Sequence, residues 1–439
     1  MGVDMEQRYA ERLNRYVTAM RNGKPDRVPI RPFAAEFTAK YAGYTCQEVT
    51  HNFDTAFLAA RKCAADFDWD ATVGNMVYVW TGLTQAIGLK YYGIPGIDVP
   101  SNVGFQYLEP PEGEEFMRAE EYDHLIEDPV DFLFNCWLPR VSSEVVPIGS
   151  PSTFRNNLSF LKGGMAMWNY FGGFGVQNAL LRQESGTVSA ISGIFKAPLD
   201  IIADKLRGYI GLTMDMLERP EKVLKACEAL MPHLLHVALS GADANHHVPI
   251  GFWMHRGCVP FLSPDQFSTF YWPTLEPIVE AVWSAGHQML FYAEGNWEPH
   301  LDALSELPDR SIVYHVDRGD IFKVHEKLCK KFCLSGGVSN YLLAYGTPDE
   351  VRACCKKILD GVAGDGGYVL DANAIIQNDA QIENVQAMTS FVRDYGNYGG
   401  QPSADPPPAN APEPGLIGMT NQRYTPKRAP GLCISWEEK

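Results

Sequence analysis

Short apolar runs separated by amphipathic segments recur along almost the whole chain. Between the later runs the apolar residues follow helical spacing, which favours repeated βα units of about 25–40 residues and a parallel sheet. Eight such units predict an α/β fold, a (β/α)8 TIM barrel rather than an open sheet. The eight runs lie near positions 28, 71, 191, 250, 288, 311, 332 and 368.

The same pattern divides the chain into a barrel and attached segments. Residues 1–23 are predicted to form an N-terminal helix, and residues 24–396 the barrel. Residues 84–190 are irregular in pattern and rich in glycine, proline and aromatic residues, so we expect an insertion or lid there. Residues 397–439 are rich in proline and small polar residues, which is typical of a tail without a core of its own.

Composition narrows the classes of partner and compartment. The net charge of −16 and the pI near 5.1 argue against nucleic acid or an anionic membrane as the main partner. The ten cysteines are scattered without a Cys-x-x-Cys pair, which favours reduced thiols. The charged N-terminal segment does not have the pattern of an export signal, and no apolar run reaches the ~18 residues of a membrane span. We therefore expect a cytoplasmic protein.

Polar side chains follow two consecutive apolar runs within residues 286–320. The first run ends just before Glu294, and the second ends at His315 and Asp317. Because parallel strands bring their carboxyl ends to the same edge, we expect Glu294 and His315 to face one pocket. His255 follows the preceding strand and forms a weaker His-x-x-Cys signal.

Five longer segments carry a family resemblance. They are KPDRVPI at 24–30, KAPLDIIADKLRGYIGLTMDMLERPEKV at 196–223, LSPDQFSTFYWPTLEPIVEAV at 262–282, GTPDEV at 346–351 and GGYVLDANAIIQNDAQIENVQAM at 366–388. In this order, and over roughly residues 24–396, the chain resembles the uroporphyrinogen decarboxylase superfamily. The resemblance implies a (β/α)8 barrel with its active site at the carboxyl ends of the strands.

That superfamily contains cofactor-free decarboxylases and corrinoid-dependent methyltransferases. The decarboxylases carry an arginine-rich segment after their first strand, but the matching stretch here has no arginine after Arg31. A substrate with many carboxylates would need several cations there. Thiol-directed methyltransferases carry a His-x-Cys zinc pair and a later cysteine, where this chain has Tyr-Ala-Glu at 292–294 and Asp-Ala-Asn at 371–373. The resemblance therefore favours a methyltransferase that acts on an oxygen substrate.

In that branch the resemblance implies Zn²⁺ and a corrinoid carried by a partner protein. Corrinoid-dependent O-demethylases use a Glu…Glu…His zinc pattern, whose second half Glu294 and His315 match. Carboxylate and imidazole donors suit Zn²⁺ acting as a Lewis acid on the oxygen of a methyl ether. Glu36 or His255 is the expected third ligand, and Asp371 is a further donor.

The expected reaction transfers a methyl group from a small methylated donor, an aryl methyl ether, to a Co(I) corrinoid. Tyr292 or Asp317 is expected to protonate the leaving oxygen, beside Glu294 and His315 in the catalytic set. Residues near the predicted pocket that suit a substrate are Asn75, Tyr78, Trp80, Trp168, Phe171 and His255.

Structural alternatives exist for each of these assignments. Glu294 could pair with Arg256 or Arg318, His315 could be a hydrogen-bonded core residue, and the aromatic residues could pack the lid. A cofactor-free decarboxylase and an idle barrel serving as a binding module are the alternative functions. The sequence leaves open whether the chain forms a homo-oligomer.

Overall fold

The computed structural model describes residues 4–74, 80–111, 113–147 and 149–401, so most of the predicted tail lies outside the described part. Its strands are β1 (Ala71–Thr72), β2 (Tyr92–Gly93), β3 (Gln106–Tyr107), β4 (Val188–Ser189), β5 (Ile194–Lys196), β6 (Ile250–Met254), β7 (Met289–Asn296), β8 (Ile312–Arg318), β9 (Cys333–Gly336) and β10 (Tyr368–Val369).

Helices separate most of these strands, except β2 from β3 and β4 from β5. They are α1 (Met5–Met20), α2 (Glu36–Ala42), α3 (Cys46–His51), α4 (Phe53–Asp66), α5 (Thr81–Ile87), α6 (Tyr122–Glu127), α7 (Pro129–Phe132), α8 (Leu138–Val141), α9 (Phe154–Ser185), α10 (Pro198–Ile201), α11 (Gly208–Glu218), α12 (Pro220–Ser240), α13 (Pro264–Gln266), α14 (Trp272–Ser284), α15 (Leu301–Leu304), α16 (Ile321–Leu328), α17 (Asn340–Tyr345), α18 (Pro348–Val362) and α19 (Ile382–Tyr395). Wider π-helical turns at Leu133–Trp137, Ile202–Arg207 and Phe267–Tyr271 continue α7, α10 and α13.

The larger strands form one parallel sheet in the order β10-β9-β8-β7-β6-β5. Strand β1 pairs in parallel with β4, and the chain beyond β4 continues into β5. The amide of Ala190 donates to Thr72 (2.9 Å), while the amide of Ser192 donates to Pro249 (2.9 Å). The segment 188–196 therefore bridges β1 on one side and β6 on the other.

The first apolar run, at residues 28–34, closes the ring. The amide of Arg31 donates to the carbonyl of Leu370 (3.0 Å), and the amide of Ala71 donates to the carbonyl of Ile30 (3.2 Å). Eight strand segments thus enclose the barrel, at the positions where the sequence predicts them. The predicted TIM barrel is confirmed.

Helix α1 covers the amino-terminal end of the barrel. Its Tyr16, Val17 and Met20 are fully buried and pack with the lumen residues Leu290 and Val313. These apolar side chains close the lumen at this end, and ion pairs of Arg12 and Arg15 on α1 with the buried Asp70 before β1 hold the helix in place.

Residues 154–185, which the sequence pattern marks as irregular, form the 32-residue helix α9. Thr153 and Asn156 form a capping box at its start, and Gly186 ends it in the left-handed conformation (φ +66°). Its glycines lower helix propensity, but the packing of α9 against α4 and α5 outweighs them. No helix in the described part of the chain has the length and apolar character needed to cross a membrane.

Candidate active site at the barrel mouth

The register of the parallel strands sorts the polar side chains into two rows. Tyr292 of β7 is aligned with His315 of β8, which is aligned with Ser335 of β9. Side chains two residues apart on a strand point the same way, so Glu294 and Asp317 lie one row nearer the open end. Glu294 and His315 therefore belong to successive rows, the mouth row and the lumen row.

His255, just beyond β6, is the centre of the mouth row. Its Nδ1 lies 2.8 Å from the ammonium of Lys196 and 2.9 Å from a carboxylate oxygen of Asp204. Its Nε2 is buried, has no hydrogen-bond partner in the described protein, and lies 3.4 Å from Glu294 Oε2. The contacts of Nδ1 thus orient the imidazole, and Nε2 faces Glu294 at the mouth without a hydrogen bond to the described protein.

Two buried aspartates hold this arrangement. Asp200 is fully buried and accepts the amide of Arg256 (2.7 Å) and the hydroxyl of Tyr271 (2.8 Å), which fixes the turn after β6. Burial acts to raise the pKa of Asp204, but the hydrogen bond from His255 and the charge of Lys196 outweigh it and lower that pKa. Asp204 is accordingly the charged anchor of the cluster.

Glu294 is the half-buried acid of the mouth. Burial raises the pKa of its carboxyl, His255 and Lys196 oppose the rise, and the nearby Asp317 adds to it. Asp317 accepts the amide of Gly295 (2.7 Å), and burial raises its pKa as well. Two carboxyl groups with raised pKa values therefore lie together at the carboxyl ends of β7 and β8.

The lumen row is closed to solvent. His315 is fully buried, its Nε2 donates to the carbonyl of Asn373 (2.7 Å), and its Nδ1 lies 3.0 Å from the hydroxyl of Ser335. Its ring stacks on Tyr292 at 4.2 Å between centroids. Burial, helped by the charge of Arg31, lowers the pKa of His315 to about 3. Both nitrogens of this imidazole already have protein partners.

Asp371 lies beside His315 and pairs with a buried arginine. Its Oδ1 accepts the amides of Phe33 (3.1 Å) and Ala372 (2.8 Å), and its Oδ2 is 3.4 Å from the guanidinium of Arg31. Burial raises the pKa of Asp371 to about 6, although Arg31 opposes the rise. Arg31, Asp371 and His315 form a network inside the barrel.

Glu36, the first residue of α2, is buried away from both rows. Its carboxyl lies under Gly104, where an added Cβ would come within 2.3 Å of Oε1, and its Oε2 has no hydrogen-bond partner in the described residues. Burial raises the pKa of Glu36 to about 7. No cation pairs with it in the described part of the chain.

The predicted aromatic contacts lie on the insertion. Trp80 packs against Phe53 (4.9 Å) and Tyr170 (6.2 Å). Trp168 and Phe171 lie on α9, with 85% and 55% of their surfaces exposed. The predictions for Asn75 and Tyr78 fall outside the described residues. The aromatic cluster therefore joins α9 to α4, and no described contact links it to the mouth row.

The four predicted metal donors are not brought together. Glu294 lies in the mouth row, Asp371 and His315 in the lumen row, and Glu36 under Gly104. Across the described ranges, no three His, Cys, Asp or Glu side chains are placed to hold a metal ion.

Sequence reasoning missed Lys196 and Asp204, which orient His255. Lys196 is the last residue of β5, and Glu294 likewise lies near the carboxyl end of β7. The position of Lys196 at a strand end was therefore the signal in the sequence that could have found it. Asp204 lies in the π-helical turn after α10, and only the fold brings it to His255. Tyr107, whose buried hydroxyl lacks a partner in the described protein, is a further missed residue near Asp204 and Glu109.

Comparison with known proteins bears on this barrel. The chain matches the model of the uroporphyrinogen decarboxylase (URO-D) family over residues 178–395. It is similar in structure to a methyltransferase from Methanosarcina mazei, with 17% identity and a TM-score of 0.59 over 87% of this chain and 98% of that chain. At this identity the likeness shows a shared fold.

A weaker similarity relates 49% of this chain to 64% of a B12-independent methionine synthase from Shewanella sp. W3-18-1, with 13% identity and a TM-score of 0.32. A TM-score this low does not establish a shared fold. The comparison with curated proteins found no match. The family match spans strands β4 to β10, which carry His255, Glu294 and His315. Residues 178–395, which carry most of the barrel, therefore form a uroporphyrinogen decarboxylase family domain.

Proposed function

We propose that this protein transfers a methyl group from a small methylated donor, an aryl methyl ether, to the Co(I) corrinoid of a partner protein. Family membership and the fold shared with a methyltransferase support the general class. The observation that carries the proposal is the pair formed by Glu294 and the unpartnered Nε2 of His255 at the barrel mouth.

A methyl ether is a poor methyl donor because its leaving group is an alkoxide or phenoxide. Protonation of the departing oxygen lowers this barrier, and burial raises the pKa of the Glu294 carboxyl in the direction that suits a proton donor. In the proposed mechanism Glu294 gives this proton. His255, whose Nε2 lies 3.4 Å from Glu294 Oε2, orients the Glu294 carboxyl. The negative charge of Asp317, when that carboxyl is ionised, also raises the pKa of Glu294.

Lys196 and Asp204 have a positioning role in this mechanism. Together they hold His255 through Nδ1, so the ring cannot turn away from Glu294. The corrinoid, when bound, supplies the nucleophile that accepts the methyl group. In this proposal the partner protein reaches the donor from the carboxyl end of the barrel, where the mouth row lies.

Zinc remains a prediction, since the four expected ligands do not converge in the described arrangement. Both nitrogens of His315 are engaged, and Asp371 is paired with Arg31. The proton transfer proposed here is carried by side chains alone. Metal analysis of Glu294→Ala and His315→Ala tests the prediction, because stoichiometric zinc that persists in both variants would rule out the predicted ligand set.

The decarboxylase alternative requires free cations at the mouth. Arg256 is bonded to Asp204 (2.9 Å) and Glu109 (2.9 Å), and Lys196 is bonded to Asp204 (2.6 Å). These carboxylates neutralise the cations that a substrate with many carboxylates would need. The arrangement therefore favours the methyltransferase.

The decisive experiment mixes the protein with a reduced corrinoid protein and methoxylated aromatic compounds and follows the cobalt spectrum. We expect spectral conversion to the methylated corrinoid with the intact protein. Failure with every ether and alcohol donor would overturn the proposal. Turnover of a carboxylated substrate without metal or corrinoid would establish the decarboxylase instead.

A further inference from the structure

One face of α9 is apolar, exposed and free of charge. The opposite face is buried through Tyr170, Gln177 and Leu181. Between Lys162 and Arg182 the helix carries no charged residue. Exposed apolar patches of this extent on soluble proteins mark interaction surfaces.

The exposed face has the spacing of a helix-pairing seam. Six exposed positions follow one another at alternating intervals of four and three residues, which is the heptad pattern of helices that pack side by side. Three of the six are large and come first, and three are small and come last. This α9 seam consists of Leu161, Met165, Trp168, Gly172, Gly175 and Ala179.

We propose that two copies of this chain pair through the α9 seam, with the two helices antiparallel about a twofold axis near residue 170. In such an isologous pair each position i faces position 340 − i of the second copy, so every large residue meets a small one. The opposed pairs are Leu161 with Ala179, Met165 with Gly175, and Trp168 with Gly172. A seam that is complementary to its own reverse is the pattern expected of self-association.

A cavity lies where the register places the tryptophan of the second copy. Its volume is about 610 Å³, and its lining combines Phe53, Phe57, Gly172 and Val176 with the polar side chains of Asp54, Arg61, Asn169 and Gln177. A Cβ added at Gly172 would meet nothing within 4 Å. Trp168, 85% exposed, therefore has a hole with aromatic walls and a partly charged rim opposite it in the second copy.

Charge and area both favour a second copy as the occupant. The chain carries a net charge of −16, so two copies repel each other at most surfaces, and a charge-free face is where they can meet. A standard interface takes about 800 Å² from each partner. Large side chains of α9 with 49–85% exposure, including Phe154, Leu161, Met165 and Trp168, present an area of that order. The seam lies in the outer helix layer, so the pairing is independent of the proposed methyl transfer.

Sedimentation velocity of the full chain over a range of concentrations tests the pairing. The expected species has twice the 48.9 kDa mass of one chain. A chain that stays monomeric at tens of micromolar would overturn the proposal. A monomer that instead binds neutral phosphatidylcholine vesicles would overturn it in favour of a lipid surface.

Gly172→Leu is the specific disrupting variant. The leucine has free space within one copy but meets Trp168 of the second copy, so the dimer dissociation constant is expected to rise by at least roughly 100-fold while the circular dichroism of the fold is retained. Asn178→Leu adds the same side chain at an exposed position outside the seam and is the matched control.

Exchanging the residues at positions 168 and 172 tests whether the pairing depends on the register of large and small residues or only on the hydrophobicity of the helix face. The double variant Trp168→Gly with Gly172→Trp again opposes one large and one small residue in each pair, and it is expected to regain most of the dimer that Gly172→Leu loses. A dimer whose affinity is unchanged in Gly172→Leu, or a double variant that stays monomeric, would overturn the seam.

Discussion

Two polar clusters one row apart in the same barrel have opposite character. In the lumen row, His315, Asp371 and Arg31 are fully excluded from solvent, and both nitrogens of His315 are hydrogen-bonded. In the mouth row, His255 and Glu294 are half-buried, and one imidazole nitrogen has no hydrogen-bond partner in the described protein.

The same residue types are fully buried in one row and, in the proposed mechanism, carry the chemistry in the next. His315, with both nitrogens hydrogen-bonded, stabilises the fold and has no nitrogen left with which to bind a substrate, whereas Nε and Nη1 of Arg31 and Oδ2 of Asp371 have no hydrogen-bond partner in the described protein. An imidazole such as that of His255, with one nitrogen free of hydrogen bonds to the described protein, can hold or move a proton when it lies beside a carboxyl of raised pKa. The two histidines thus differ in their hydrogen bonding because they lie at different depths along the strands.

The largest effect is expected from the mouth row. Glu294→Gln removes the proton of the proposed acid while keeping its shape, and we expect methyl transfer to slow by about 10²–10⁴-fold. The free energy of unfolding should change by less than ~1 kcal/mol, since Glu294 is partly exposed. Stopped-flow detection of the corrinoid spectrum measures the first quantity and urea unfolding the second.

The control for this variant is Glu184→Gln, which changes an exposed carboxylate on α9. Its methyl-transfer rate should equal that of the unmodified protein. A Glu294→Gln variant that retains full turnover would contradict the assignment of the chemistry to the mouth row.

The lumen row is expected to affect stability before turnover. Asp371→Ala leaves the guanidinium of Arg31 buried without its carboxylate, so the free energy of unfolding should fall by about 3–5 kcal/mol. Turnover per folded molecule should fall less than in Glu294→Gln. The double variant Arg31→Met with Asp371→Leu removes both charges and should recover most of the loss in denaturant unfolding. Unchanged stability in Asp371→Ala, together with lost activity, would assign the lumen row to catalysis.

The smallest effect is expected at Glu36, which belongs to neither row. Burial raises the pKa of Glu36 from 4.5 to about 7. Between these two pH values the carboxyl is protonated in the folded chain and ionised in the unfolded chain. The free energy of unfolding contributed by this group therefore falls as pH rises from about 4.5 to 7. Glu36→Gln should lack this fall and be more stable than the unmodified protein by about 1–3 kcal/mol at pH 8.

Thermal unfolding at pH 5 and pH 8 checks this prediction, with Glu184→Gln as the exposed control. A Glu36→Gln variant that is less stable than the unmodified protein at pH 8 would contradict it. Loss of bound zinc in the same variant would restore Glu36 to the predicted metal set.

The positions of the eight barrel strands and the polar residues at their ends could be predicted from the sequence. Apolar runs of strand length, alternating with helical patterns, are local signals that need no knowledge of contacts. The helix over 154–185 could not be predicted in the same way, because its glycines have low helix propensity and its stability comes from packing on α4 and α5.

The sequence by itself determined the barrel and placed Glu294 and His315 near strand ends. Only the tertiary structure decided that Glu294 meets His255 while His315 meets Ser335 and Asn373. The physical reason is that inter-strand register and side-chain depth are set by hydrogen bonds between segments far apart in the chain. Asp204 illustrates the same limit, since it lies 51 positions before His255 and approaches Nδ1 to 2.9 Å only when α10 folds back over the barrel.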